Sequence, residues 1–236
     1  LVRLKCYRTV WKMVCAYLQN PKLRQAFSVQ PLLVGGNPFD TTSIYGLIHF
    51  LERRWGIHFA MGGTGALVDG YGRLMEELGI EIKLNTTVEK ILVQDKKACG
   101  VQLEDGQQID SDLVVANVDP KYLYGQMLDT TEQTWAVRKK TQHHALSMGL
   151  FVLFFGTSKA YPNIAHHTIW LGQRYQELLD EIFNGKDLPE DFSLYLHRPT
   201  ATDPSFAPAE CESFYVLAPV PNLDANIDWK TQGPEL

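Results

Sequence analysis

The sequence predicts a mixed α/β chain, α+β in detail, with helices gathered early and strands in the middle and later parts. Three observations predict it. Apolar residues recur at helical spacing in the first 80 residues; short apolar or alternating runs bounded by Gly, Asp, Asn and Pro follow; and 236 residues at 45% hydrophobic content suffice for one large core or two modest ones.

At 100° per residue, a helix over residues 1–18 puts Leu4, Tyr7, Trp11, Val14 and Leu18 in one stripe. Lys5, Arg8 and Lys12 run along its flank. The stripe fits a protein core, an anionic membrane surface, or both. Asn20-Pro21 ends this helix and opens another, with Asn20 as cap and Pro21 as first helical residue. "VGGNPFD" (34–40) is a turn. Thr41, Thr42 or Ser43 caps a third helix, with Ile44, Leu47, Ile48, Leu51 and Trp55 at inward spacing and Gly56 as its stop.

"FAMGGTGALVDGYGRL" (59–74) opens a fourth helix. Leu67, Tyr71, Leu74, Met75 and Leu78 share one face, and Gly79 suits the C-terminal left-handed position. Strands are expected at "IEIKL" (80–84), in a meander of "VEKILVQ", "ACGVQL" and "QQID", and at "DLVVAN" (112–117), which has the character of a buried central strand. Further on come a strand at "MGLFVLFFG" (148–156) and a helix at "RYQELLDEIF" (174–183) with Tyr175, Leu178, Leu179 and Ile182 inward. "FSLYLH" and "SFYVLAPV" are strands, and Pro199, Pro204, Pro208, Pro219 and Pro221 mark long loops.

Composition excludes several functions. Net charge is −5, and the first 39 residues hold six basic side chains (Arg3, Lys5, Arg8, Lys12, Lys22, Arg24) and no acidic one. A general nucleic-acid binder does not fit an acidic body with one local basic face. No apolar run reaches the ~18 residues of a membrane span, and no signal peptide opens the chain. Four scattered cysteines (Cys6, Cys15, Cys99, Cys211) lack metal or disulfide spacing and suit a cytoplasmic setting. Beginning without Met inside a helical pattern, the chain reads as an internal piece of a longer protein.

Motifs with catalytic meaning are few. Gly63-Thr64-Gly65-Ala66-Leu67-Val68 has valine where a dinucleotide fingerprint needs its third glycine, and "IEIKL" ends in neutral Asn85 rather than an acidic residue. The stretch therefore reads as a turn opening a helix, with the Gly63 and Gly65 amides free to face an anion. The pairs His143-His144 and His166-His167 invite a metal, but neighbouring side chains diverge on strand and helix alike, and no acidic or cysteine partner is suitably spaced. No metal is expected. Asp69, Glu76, Glu77, Asp180 and Glu181 fall on helix surfaces. Aromatic strands suit either a core or an apolar ligand channel.

Two long runs carry a resemblance: "LRQAFSVQPLLVGGNPFDTTSIYGLIHFLERRWGIHFAMGGTGALVDGYGRLMEELG", and "AHHTIWLGQRYQELLDEIF" continued by "EDFSLYLHRPTATDPSFAP" and "SFYVLAPVPNL". Together they resemble bacterial and fungal phytoene desaturases, carotenoid dehydrogenases of the flavin amine oxidase superfamily. The resemblance implies part of a glutathione-reductase-like FAD-binding fold (62–119) and a substrate domain with a mixed sheet (1–61 membrane-facing helices, 120–236 sheet and helices). It implies FAD as cofactor, phytoene and partly desaturated carotenoids as partners, and a peripheral cytoplasmic place on the membrane that supplies them. Val88 takes the position whose backbone meets the adenine of FAD, and Ala116 and Asn117 lie near the cofactor. The family's main FAD loop and catalytic carboxylate and base fall upstream of Leu1, so no catalytic residue is named. A carotenoid isomerase, a desaturase of another carotenoid and a non-catalytic carotenoid- or lipid-binding protein are the alternatives.

Overall fold

The computed structural model describes residues 5–129, 131, 133 and 135–236, apart from the side chain of Glu235. Arg3 and Leu4 of the expected basic, amphipathic helix lie outside the described residues. The chain divides into two compact units, one of residues up to 71 with 147–236, the other of residues 72–146.

In the first unit, helix α1 spans Val10–Tyr17, not 1–18 as expected. Lys5 adopts a left-handed φ of 54°, which no helix interior accommodates, and the Thr9 hydroxyl caps the helix by accepting from Lys12 N–H. Tyr7 is thus off the helix and exposed, while Val10 and Val14 are buried. Helix α2 (Pro21–Ser28) opens as predicted: the Asn20 side chain accepts from Lys22 and Leu23 N–H, and Pro21 is the first helical residue. Thr42 caps a 3₁₀ turn over Ser43–Gly46 that leads into α3 (Leu47–Trp55), and Gly56 stops it at φ 79°. The inward face expected for α3 is not buried; Leu47 and Trp55 are exposed. Helical spacing says which residues share a face, not what covers it.

Helix α4 (Gly63–Glu77) follows, closed by Gly79 at φ 71°. Its expected apolar face, Leu67 to Leu78, is likewise exposed.

The core of the first unit gathers on a later helix, α7 (Tyr175–Asn184). Tyr175, Leu178, Leu179 and Ile182, the four positions expected inward, are almost completely buried. They pack with Leu32, and Trp11, Val29, Phe39, Met148, Leu171 and Phe183 surround them. The Tyr175 hydroxyl meets Ser28 Oγ at 3.0 Å, which satisfies both polar groups inside the core. Outside it, Arg174 bridges Glu181 and Asp191.

Beside this core lies an antiparallel sheet of β4 (Gly149–Thr157), β5 (His167–Trp170), β6 (Leu194–His197) and β7 (Glu212–Val220), in the order β4-β7-β6-β5. β5 was not foreseen; its four residues pair with β6, which is itself short. Pro219 is in β7 rather than a loop. It pairs with Leu150 of β4 and lies beyond the segment of β7 that β6 covers, so its missing N–H removes no bond on that side.

The second unit holds a three-stranded meander, β1 (Val88–Gln94), β2 (Lys97–Leu103) and β3 (Gln108–Asp110), antiparallel as predicted. Asp95 and Lys96 both take positive φ, 49° and 63°, as a two-residue hairpin turn requires. A three-residue helix α5 (Pro120–Tyr122), capped by Asp119, runs into one π turn, and α6 (Trp135–Gln142) follows. Residues 80–84 and 112–117, both expected as strands, form no ladder. Leu84, Leu113 and Val115 stand exposed. A strand is defined by its partner, and these two segments have none among the described residues.

Candidate functional site

One face of the four-stranded sheet carries the site. Side chains alternate along a strand, so the pairings put Leu150, Val152 and Phe154 of β4, Tyr215, Leu217 and Pro219 of β7, Tyr195 and His197 of β6, and His167 and Ile169 of β5 on a common face. At one end this face floors an apolar groove of about 280 Å³, walled by Val29, Leu32 and Leu33 from the α2 side and by Met148 and Leu171. That is near the lower end of the ~300–1,000 Å³ usual for ligand pockets. Its apolar walls offer a ligand water exclusion and dispersion only.

Towards its other end the same face becomes aromatic and polar. His197 stacks on Tyr215 with ring centroids 4.6 Å apart, and His166 and His167 lie 4.7 and 5.3 Å from His197. Tyr195 Oη is 2.6 Å from His167 Nδ1 and 3.1 Å from His197 Nδ1. Phe59 closes on His166 edge-on at 4.7 Å. Burial lowers the pKa of all three imidazoles, and the neighbouring histidines add to this at His166 and His197; His197 falls to about 4. The cluster is therefore neutral at pH 7. Burial raises the Tyr195 phenol, helped by its hydrogen bond to Tyr215.

The expectation that His166 and His167 diverge is corrected here. His166 precedes β5 rather than lying in it, so the alternation of a strand does not separate the two rings, which are 4.4 Å apart. His197 joins them across the β5–β6 pair, opposite His167. No local spacing signals this meeting, because it depends on register between segments 30 residues apart. His143 and His144 lie outside it, in the other unit.

A buried ion pair holds the segment before β5. Arg198 donates from Nε to Glu212 Oε2 at 2.9 Å, and its Nη2 lies 2.8 Å from Oε1. Its Nη1 donates to the Ile164 carbonyl and its backbone N–H to that of His166. Glu212 also accepts from Thr200 Oγ1 and from Tyr161 N–H. These bonds, the one from Arg198 foremost, hold the Glu212 carboxyl down to about 2 despite its burial.

The glycine turn before α4 has its anion within the chain. Gly62 N–H donates to Asp203 Oδ2 at 2.7 Å, and Gly63 N–H to the Ala60 carbonyl. Asp203 is buried, and its pKa is lowered by these bonds, the one from Gly62 first and then those from Ser205. Gly63 has φ 73°, and a Cβ there would sit 2.8 Å from the Phe206 ring. The turn is thus built for close packing against the Asp203–Phe206 loop, with a carboxylate where a phosphate loop would hold phosphate.

Val88, Ala116 and Asn117 all lie in the other unit. Val88 opens β1, an edge strand of the meander, and is half-buried. Ala116 and Asn117 are exposed in the segment before α5.

Residues 10–204 match the family of flavin containing amine oxidoreductases. The chain is 48% identical to phytoene desaturase (lycopene-forming) of Pseudescherichia vulneris over all of its own length and 48% of that protein. It is 40% identical to the neurosporene-forming phytoene desaturase of Rhodobacter capsulatus, with 97% of this chain and 45% of that protein covered. The chain thus spans about half the length of these relatives. Among solved structures, an oxidoreductase from Methanosarcina mazei superposes with a TM-score of 0.68 at 17% identity, over 97% of this chain and 50% of that one, a likeness of fold. The chain belongs to the flavin-containing amine oxidoreductase family.

Proposed function

We propose that this chain supplies the substrate-binding part and a portion of the FAD-binding part of an FAD-dependent desaturase acting on phytoene and its partly desaturated products. The observation that carries it is the groove: an apolar floor and wall for a hydrocarbon with no polar handle, continuous on one sheet face with neutral imidazoles and phenols. Desaturation removes a hydride from one carbon and a proton from its neighbour, leaving a C=C bond. FAD, when bound, supplies the hydride acceptor. The chain's own part is to bind and align the polyene against Leu150, Leu217 and Ile169 and to exclude water.

Residues 62–119 are assigned to the FAD-binding part. The fit is at the level of access: Val88 begins β1, an edge strand of the meander, and Ala116 and Asn117 are exposed. Val88 would meet the adenine end, with Ala116 and Asn117 near the cofactor. The glycine turn takes no part, since its Gly62 and Gly63 amides are already bonded.

Peripheral membrane contact belongs to the same proposal. No helix among the described residues is long and apolar enough to cross a membrane. Exposed Leu47 and Phe50 on α3, with Arg53 and Arg54 in its last turn, are suited to an anionic lipid surface.

The test uses the complete protein with FAD and phytoene-loaded liposomes. New long-wavelength polyene absorption, with a product lighter by pairs of hydrogens, is expected, and Leu217→Asp abolishes it while flavin content is kept. A product of unchanged mass would make the protein an isomerase. Bound carotenoid without any conversion would make it a carrier.

A further inference from the structure

Each histidine of the sheet-face cluster uses one ring nitrogen on a neighbour. His166 Nδ1 meets Thr202 Oγ1 at 2.5 Å, and Nδ1 of both His167 and His197 meets Tyr195 Oη. Tyr195 Oη thus bridges the His167 and His197 rings. His166 Nε2 is also buried without any hydrogen-bond partner, a cost of about 1–3 kcal/mol unless something fills it. A water-free base for the hydrocarbon does not explain this atom, because it has no open surface towards the groove.

We propose that one ring nitrogen from each of His166, His167 and His197 forms a three-imidazole site for a divalent transition metal, with Zn²⁺ the best fit and the fourth position open. Ligand nitrogens of the three rings lie within 4.8 Å of one another. Zn–N bonds of about 2.0–2.1 Å need a modest inward rotation of the rings. Thr202 and Tyr195 form the outer shell that fixes tautomer and ring orientation, as metal-bound imidazoles require. The nearest backbone-linked cation, Arg198, is neutralised by Glu212 and does not repel the ion. The site does not depend on the desaturase reading, and a groove-bound carotenoid and the metal occupy different places on the face.

The experiment uses the complete protein, stripped with chelator and titrated with Zn²⁺ by calorimetry and with Co²⁺ by visible difference spectroscopy. One saturable ion per chain is expected, with the d–d bands of four- or five-coordinate Co²⁺. His166→Gln and His197→Gln each weaken binding at least about 10-fold, and Thr202→Val weakens it by about 10–100-fold. His167→Gln, at an exposed position, keeps the test open should a half-buried variant fail to fold, and unchanged flavin content and melting of the metal-free protein verify the fold. The proposal is overturned if no stoichiometric ion binds, or if the site survives in the triple variant His166→Gln/His167→Gln/His197→Gln.

Discussion

Glu212→Gln tests whether the buried clamp organises the sheet face. The Glu212 side chain is 3% exposed and that of Arg198 10%. The carboxylate accepts from two Arg198 nitrogens, the Thr200 hydroxyl and the Tyr161 amide. A glutamine keeps one acceptor oxygen and turns an NH₂ towards donors that cannot receive it. It also leaves a guanidinium buried without its counter-charge. Breaking a buried pair in this way costs about 3–5 kcal/mol. At ~2–4 °C per kcal/mol for a unit of this size, the melting temperature falls by about 6–20 °C at neutral pH. The pH dependence has a definite sign. The folded-state pKa is lowered from 4.5 to about 2, so the native protein binds fewer protons than the unfolded chain in that window. The contribution is full above about pH 4.5 and is lost as pH falls towards 2. Calorimetric melts of wild type and variant from pH 7 to 3 measure both effects, with the gap narrowing as pH drops. The double change Arg198→Met/Glu212→Leu recovers most of the loss, because an apolar pair replaces both charges. A variant that melts within about 2 °C of wild type at neutral pH, or a gap that stays constant to pH 3, would refute the reasoning.

Gly63→Ala forces a Cβ into the Phe206 ring at a left-handed φ, and a loss of about 1–3 kcal/mol is expected in urea unfolding. Gly72→Ala, in the same helix with open space around it, stabilises by about 0.5–1 kcal/mol; equal effects at the two positions would contradict the packing argument. For the membrane, Lys5→Glu with Lys12→Glu lowers co-sedimentation with anionic liposomes at low salt, and unchanged sedimentation would remove the basic N-terminal region from that role.

What was legible in the sequence was local. Asn20-Pro21 carries its own cap, Asp95-Lys96 its own turn, and α7 its own inward face, so each came out as read. Where a partner decides, the sequence was silent. "IEIKL" and "DLVVAN" have strand character yet pair with nothing among the described residues, and α3 and α4 have apolar faces that nothing described covers. The histidine cluster was hidden for the same reason. His166 and His167 look divergent as neighbours, and only the β5–β6 register brings His197 to them. Thr9 and Lys5 shortened the first helix through a cap and a backbone conformation that apolar periodicity does not report.

The stretch "HRPTATDPSF", residues 197–206, ties these features together. His197 faces the ring cluster, Arg198 grips Glu212 and the segment before β5, and Thr202 fixes His166. Asp203 caps the glycine turn, and Phe206 packs on Gly63. Pro199 and Pro204 each open a 3₁₀ turn, which sets φ at two of the ten positions and limits how far the loop can wander. A connection between strands β6 and β7 of this length need only cross the gap. This one instead spends its side chains on the strand face, on the chain before β5 and on the start of α4. Loops that carry function are held by a rigid scaffold, and here the loop supplies part of the scaffold. Substitutions along it should therefore couple: loss of the clamp at Glu212 moves His166 through Arg198, and with it the imidazole cluster beside the groove.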